Sequence, residues 1–498
     1  MGSSPASRPI VWAVGGSDSA GGAGIQADLR TIHGLGAHAA TIVTAVTAQS
    51  SRGVEGVWPV PAESLAAQWA ALAADLPPSV VKIGMLATAS HVRFVAEKVR
   101  ELRVPVVLDP VMTASAGGAL LDDDGRHALV HELLPHVAVV TPNVQEASAL
   151  LSGRRLSTKT EIEAAARDLA AHGPRTVIIK GGDNDDPLAQ DCVLSGDRLV
   201  WLSHPRVRSR NTHGTGCTFA SALATALSTG ITPVDAAVVA KMYVTEAIRK
   251  GYAAGAGAGP VQQGAWPRHE EDLPSLTLGP EPDDLSFPSL DRAPGLYAIV
   301  DSAAWIERLA RSAVGTLQLR IKSLSGRALR DEIANSVAIA RDAGIPLFIN
   351  DHWQLAIELG AWGVHLGQED LDTADLTAIV SAGLRLGLST HCYEEVARAH
   401  AIRPSYIALG PVFETKIKAM RFAPQGVDAL RLWRSTLASY PLVAIGGIDA
   451  TNAAEVVATG VDSIAVIRAI TQAADPVQAA GDLAELVRGP SRGAATSK

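Results

Sequence analysis

Apolar, β-branched runs alternate with stretches of helical period along most of the chain. In the first half, Ile10–Val14, Ala40–Val46, Val80–Ile83, Val104–Leu108, Ala138–Thr141 and Thr176–Lys180 read as buried strands. Between them, Ala27–Leu35, Ser64–Leu76, Ala89–Leu102, Glu161–His172 and Phe219–Leu227 read as helices. This alternation predicts a mostly parallel sheet covered by helices on both faces. GDRLVWLSHPRV adds an antiparallel pair. From Gly255 to Pro294 the apolar period disappears and Gly, Pro and acidic residues take over, which marks a domain boundary. Beyond it the alternation becomes regular. LYAIVD, TLQLRI, PLFIND, GVHLG, RLGLST, YIALGPV, PLVAIGG and SIAVI are eight strand candidates, each followed by a helical stretch, and they predict a closed (β/α)8 barrel. The expected organisation is a domain over 8–265, a coreless linker over 266–293 and a barrel over 294–490.

Composition narrows the class. The 498 residues exceed one ordinary domain, and 47% hydrophobic with 19% charged residues predicts a soluble globular protein. No leader-like or bilayer-length apolar run is present, which predicts a cytoplasmic protein with no membrane partner. A net charge of −8 without a long basic block argues against nucleic acid as a partner. Cys192, Cys217 and Cys392 are too few and too far apart for a disulfide framework or a zinc site. Small-molecule substrates are therefore expected, and the oligomeric state is left open.

Candidate chemistry in the first half centres on NTHGTGC, residues 211–217. Gly214 and Gly216 free the backbone just before a helix, so the Gly214–Cys217 amides can face an anion and steady a transferred phosphoryl group. Lys180 ends a strand before two glycines, where its ammonium can neutralise a phosphate. Gln49 offers donor and acceptor side by side to a heterocycle edge. Asn143 and Glu146 have cap spacing, and Asp109 precedes Pro110. Gly22–Ala27 matches GxGxxA, but no acidic residue follows at ribose-binding distance, and no Walker A lysine exists.

The ordered segments GGAGIQADLRTI, TAVTAQSSRGV, VKIGMLA, LDPVM, TPNVQEA, IIKGG and NTHGTGC resemble the hydroxymethylpyrimidine/phosphomethylpyrimidine kinases of thiamine biosynthesis. The resemblance implies a ribokinase-like α/β/α sandwich that phosphorylates a pyrimidine twice, with ATP as donor and magnesium. It implies Gly16, Asp28, Gln49 and Met85 around the pyrimidine, and Asp109, Asn143 and Glu146 at ATP and magnesium. Cys217 stands where related kinases place an aspartate base. A thiol at a helix N-terminus is expected to have a lowered pKa and to act as base.

In the second half, Asp351 and Asp370 end neighbouring strands and can share a hard cation, while Arg320, Lys322 and Lys418 add positive charge to the same rim. The strand ends QLRIK, IND, HLGQED, LST, GPVFETKIK and IGGI resemble thiamine-phosphate synthase. That resemblance implies Gln318, Leu319, Arg320, Ile321, Lys322, Asn350, Ser389 and Lys418 at the pyrimidine diphosphate, with magnesium on Asp351 and Asp370. It implies Thr415, Lys416, Ile417, Gly446, Gly447, Ile467 and Arg468 at a thiazole phosphate. The chain departs from the family at Ile321, at Ile417 and at Arg468, where serine is usual. The alternatives are a thiazole tautomerase-like isomerase or a silent binding module.

Overall fold

The computed structural model describes residues 8–113, 120–182, 184–281, 284–414 and 422–488, in two compact units. The first contains strands β1 (Ile10–Ser17), β2 (His38–Ser50), β3 (Gly53–Pro59), β4 (Val80–Ile83), β5 (Val106–Leu108), β6 (Val139–Val140), β7 (Thr176–Ile179), β8 (Leu188–Ser195), β9 (Arg198–Pro205) and β10 (Ser275–Thr277). They make one sheet in the order β10-β9-β8-β7-β6-β5-β4-β1-β2-β3. The central strands β2, β1, β4, β5, β6 and β7 are parallel, and β3, β8, β9 and β10 join antiparallel at the edges. Central strands such as β4 and β7 are buried at every position, as expected where helices cover both faces. The principal core gathers Trp12, Ile42, Trp69, Val92, Leu108, Leu133 and Trp201.

The helices Gly24–Gly34, Ala62–Asp75, Ala89–Glu101, Lys159–Ala170 and Thr215–Leu227 coincide with the expected ones to within a turn. The helix Pro233–Arg249, which periodicity does not reveal, carries thirteen buried residues.

The second unit closes as a barrel of eight parallel strands: β11 (Gly295–Val300), β12 (Thr316–Leu319), β13 (Leu347–Asn350), β14 (Gly363–Leu366), β15 (Arg385–Thr390), β16 (Tyr406–Leu409), β17 (Leu442–Ile445) and β18 (Ser463–Val466). All eight fall on the expected segments. The barrel interior is unusually aromatic: Tyr297, Phe348 and Tyr406 meet inside it, the last two with ring centroids 5.1 Å apart at 84°. Space for them comes from missing side chains. A Cβ on Gly387 would collide with the Tyr406 ring, and one on Gly363 with the Phe348 ring.

One expectation needs correction. The stretch 266–293 is not coreless. Leu273 and Leu276 are buried, β10 pairs antiparallel with β9, and Arg249 bonds to Glu271 and Asp272, so Glu271–Pro282 belongs to the first unit. Farther on, Phe287 is buried and Ser405 Oγ donates to the Pro288 carbonyl at 2.6 Å, which ties this part to the barrel. Gly and Pro content reports turns here and does not report exposure.

Candidate active sites

In the first unit the site forms where the C-terminal ends of β1, β5 and β7 face the helix start at Thr215. Gly214 caps that helix with φ 85°, and a Cβ there would collide with the Gly22 carbonyl. The two glycine loops, 21–24 and 214–216, therefore touch through backbone alone. Beneath them Lys180 Nζ donates to Asp109 Oδ1 at 2.8 Å. A Cβ on Gly216 would sit 3.5 Å from both Asp109 and Lys180, so cradle, cation and carboxylate converge. Burial alone would lower the Lys180 pKa, but Asp109 and Glu146 outweigh it and keep the side chain charged. Asn143 and Glu146 form a reciprocal capping box, with Glu146 N–H on Asn143 Oδ1 and Asn143 N–H on Glu146 Oε2, both at 2.7 Å. Asn143 also bridges to Lys180 through the backbone, so the cap stands beside the phosphate cation.

Cys217 departs from expectation. Its thiol pKa is not lowered: burial pushes it up to about 11, with Lys82 opposing and Asp28 and Asp109 adding to the rise. The helix terminus is a local feature, and burial of the thiol, with the two carboxylates adding to it, outweighs that effect. At pH 8 the thiolate fraction is then about 10⁻³, so iodoacetamide should label Cys217 roughly 100-fold more slowly than an ordinary thiol. Site-resolved mass spectrometry checks this; labelling at the ordinary rate would restore the thiolate.

Gly16 and Met85 meet, with a Cβ on Gly16 lying 3.0 Å from the Met85 sulfur. Gln49 sits at the edge of the same strands. Sequence reasoning missed its partners. His213 Nε2 lies 3.0 Å from Asp18 Oδ2 and 3.2 Å from the Gln49 amide. A carboxylate only accepts, so His213 Nε2 carries the proton and gives it to Asp18; the Gln49 atom that faces it is the amide nitrogen, while Gln49 Oε1 faces the Thr47 hydroxyl at 3.3 Å. Burial would raise the Asp18 pKa, but His213 and the amides of Ala23 and Ala20 hold it below the usual carboxylate value. Asp28 does not line an open pocket. It is fully buried, takes Lys82 Nζ on both oxygens at 2.8 and 2.9 Å, and accepts the Ser221 hydroxyl at 2.7 Å. A lysine inside the apolar run VVKI was the available signal for this pair.

In the barrel the expected residues gather at the C-terminal strand ends, where such folds carry their sites. Lys322 Nζ bonds Asp351 Oδ2 at 2.5 Å. Asp351 takes φ 63°, which turns it out of β13 toward this cation. The Asp370 pKa is raised, first by burial and then by the Asp351 carboxyl beside it. Asp370 also accepts the Gly367 N–H at 3.0 Å. Among the described residues no set of three His, Cys, Asp or Glu could hold a metal by itself. Gln318 and Asn350 are buried just below the rim. Leu319 and Ile321 are buried too, so each can offer only its backbone to a ligand.

Gly446 and Gly447 adopt φ 103° and 70°, and a Cβ on either would collide with the 411–414 backbone. Ile467 caps the short helix that Arg468 begins, and the Arg468 side chain is exposed. Thr415, Lys416, Ile417 and Lys418 lie outside the described residues. His365, Tyr297 and Tyr406 were not expected. His365 is buried between Tyr406 Oη and Ser389 Oγ, and burial pulls its pKa down to about 4.

Comparison with known proteins separates the two halves in the same way. Residues 18–262 match the phosphomethylpyrimidine kinase family and residues 296–470 the thiamine monophosphate synthase family. A probable chloroplastic thiamine biosynthetic bifunctional enzyme of Oryza sativa is 35% identical over 93% of this chain and 86% of its own length. The thiamine-phosphate synthase of Neisseria gonorrhoeae is 53% identical over 39% of this chain and 94% of its own. Among solved structures, the pyridoxal kinase of Staphylococcus aureus in complex with AMP-PCP and pyridoxal superposes with a TM-score of 0.50 and 31% identity, over 54% of this chain and 98% of its own. No described helix is long and apolar enough to cross a membrane.

Proposed function

The chain belongs to the thiamine biosynthetic bifunctional enzymes, a hydroxymethylpyrimidine/phosphomethylpyrimidine kinase followed by a thiamine-phosphate synthase, and on that premise we propose how its two sites divide the work. The first site phosphorylates the pyrimidine alcohol and then its monophosphate, with ATP as donor. The observation that carries this is the convergence of the Gly214–Cys217 amides on the Lys180–Asp109 pair. Phosphoryl transfer asks the protein mainly for positioning and charge neutralisation. The amides and Lys180 meet the charge of the transferred group. Gln49, whose amide oxygen takes the Thr47 hydroxyl and whose nitrogen lies beside His213, orients the ring edge, while Gly16 and Met85 line it. Magnesium, when bound with ATP, would neutralise phosphate charge, and Asp109, Asn143 and Glu146 are the residues placed to organise it.

Cys217 rests as a neutral thiol, so it can take the alcohol proton only in its minor thiolate form, after its own proton has left to a phosphate oxygen or water. Cys217→Ala should lower kinase turnover about 100-fold, the low end for a proton-accepting group. Synthase turnover supplied with ready-made diphosphate should not change. Unaltered kinase turnover would leave Cys217 a packing residue.

The second site joins the pyrimidine diphosphate to a thiazole phosphate and releases pyrophosphate. Asp351 and Asp370 lie side by side with no third His, Cys, Asp or Glu placed to join them among the described residues, which suits a magnesium ion completed by substrate oxygens. Such an ion would supply charge stabilisation to the departing pyrophosphate. Arg320 and Lys322 supply it from the rim, and Gln318, Asn350 and Ser389 hold the substrate below. The bond between pyrimidine methylene and pyrophosphate breaks, and the thiazole nitrogen then bonds to the methylene carbon. No protein nucleophile is required. The Gly446–Gly447 turn and the 467–468 amides receive the thiazole phosphate, an arrangement common after the last barrel strands. Incubating the whole chain with hydroxymethylpyrimidine, Mg-ATP and thiazole phosphate tests both halves at once through formation of thiamine phosphate.

Arg468 replaces the usual serine without removing the backbone N–H. Its exposed guanidinium adds a charge-assisted bond to the thiazole phosphate, roughly 1.5–3 kcal/mol. Arg468→Ser should raise the KM for thiazole phosphate about tenfold, with a much smaller change for the pyrimidine diphosphate. Equal changes for both substrates would remove this role.

A further inference from the structure

Five side chains from five barrel strands form one continuous hydrogen-bonded line. Gln318 Nε2 lies 3.2 Å from Tyr297 Oη, which lies 2.8 Å from Tyr406 Oη. Tyr406 Oη lies 2.7 Å from His365 Nδ1, and His365 Nε2 lies 2.9 Å from Ser389 Oγ. The first four residues are buried, and Ser389 is half-buried at the end of β15, where the line meets the site. Such barrels usually fill these layers with Val, Ile and Leu. Here β15 also gives up a side chain, at Gly387, so that the Tyr406 ring can cross.

The polarity of the line follows from its Gln318 end, where the amide nitrogen is the atom turned toward Tyr297. Tyr297 Oη receives the Gln318 N–H, and its own proton has one remaining partner among the described residues, Tyr406 Oη. Tyr406 must then give its proton to His365 Nδ1. A neutral imidazole carries one proton, which is left on Nε2 and donated to Ser389 Oγ. The Ser389 hydroxyl hydrogen has no acceptor within the line and turns outward. Each bond polarises the next in the same sense.

We propose that Gln318, Tyr297, Tyr406 and His365 form a one-way hydrogen-bond relay that commits Ser389 to donate to an anionic oxygen of the diphosphate. Tyr297, Tyr406 and His365 are positioning residues, which act on the substrate through Ser389. The proposal rests on the placement of Ser389 in the diphosphate site, and two measurements separate the two claims.

The first is ¹⁵N NMR of the full-length protein with labelled histidine, the His365 signals being identified by their loss in His365→Gln. The relay requires the Nε2–H tautomer. An Nδ1–H tautomer would mean that Ser389 donates inward and the line runs the other way, which overturns the proposal. The second is a double-mutant cycle on the KM for the pyrimidine diphosphate. Tyr406→Phe should raise KM roughly 3- to 10-fold in the parent and produce no further rise in a Ser389→Ala background. Additive losses would overturn the relay even with the expected tautomer. Parent-like KM in Ser389→Ala would instead remove Ser389 from the diphosphate site while the tautomer still reports on the relay. If Tyr406→Phe fails to fold, the tautomer in the parent decides alone.

Discussion

Lys82→Met should destabilise the first unit by about 3–5 kcal/mol, because it leaves the Asp28 carboxylate buried without its cation. Lys82 and Asp28 are both fully buried, and the pair is closed on two oxygens with Ser221 on one of them. Burial raises the Asp28 pKa, and Lys82 and Ser221 offset this only in part. Lys82 itself stays charged because Asp28, with Asp109 behind it, outweighs its own burial. In a melting experiment the kinase transition should fall by roughly 10 °C while the barrel transition stays in place. Lys82→Met combined with Asp28→Leu should recover most of that loss, since an apolar pair of similar volume costs little. Kinase turnover is not expected to recover with it, because Lys82 is also the main group opposing the rise of the Cys217 pKa. A single variant that melts like the parent would mean that water reaches Asp28.

Asp370→Asn should lower synthase turnover roughly 10²- to 10³-fold, several kcal/mol of lost charge stabilisation. The same change should leave the barrel at least as stable as the parent. Asparagine keeps an oxygen for the Gly367 N–H and removes the charge facing Asp351. The sign is set by the raised Asp370 pKa. A carboxyl whose pKa is raised on folding contributes stability below its unfolded pKa, and that contribution is lost as pH rises through the folded one. In EDTA the advantage of Asp370→Asn should therefore grow with pH across that window and then level off. Magnesium should raise the melting temperature of the parent and have less effect on the variant. A variant that keeps both its turnover and its magnesium response would end the shared-cation reading.

These two sites were unequally legible. All eight barrel strands are short apolar runs with helical stretches after them, so periodicity alone locates them. Strand β3 escapes because GVEGVWP lies at the sheet edge with its residues half-buried or exposed, which blurs alternation. The helix Pro233–Arg249 escapes for the opposite reason: it is buried on nearly every face and has little amphipathic contrast. Cradle residues such as Gly214 and Lys180 were readable because backbone freedom and strand ends are local properties. The acidity of Cys217 was not, since its burial and the charges of Lys82, Asp28 and Asp109 arise only through tertiary packing. His365 was quoted at a strand end, but that it faces Tyr406 across the barrel depends on strands brought together by closure.

The short strand Ser275–Thr277 has a practical meaning for anyone dividing this gene. It covers the outer edge of β9, whose Trp201–Ser203 backbone would otherwise face water unpaired. A fragment stopped at 265, the domain end expected from sequence, would carry a bare sticky edge and would be expected to stack with its own copies. A fragment carried on through Pro282 keeps that edge covered. In this protein the seam between two catalysts is also the hem of the first.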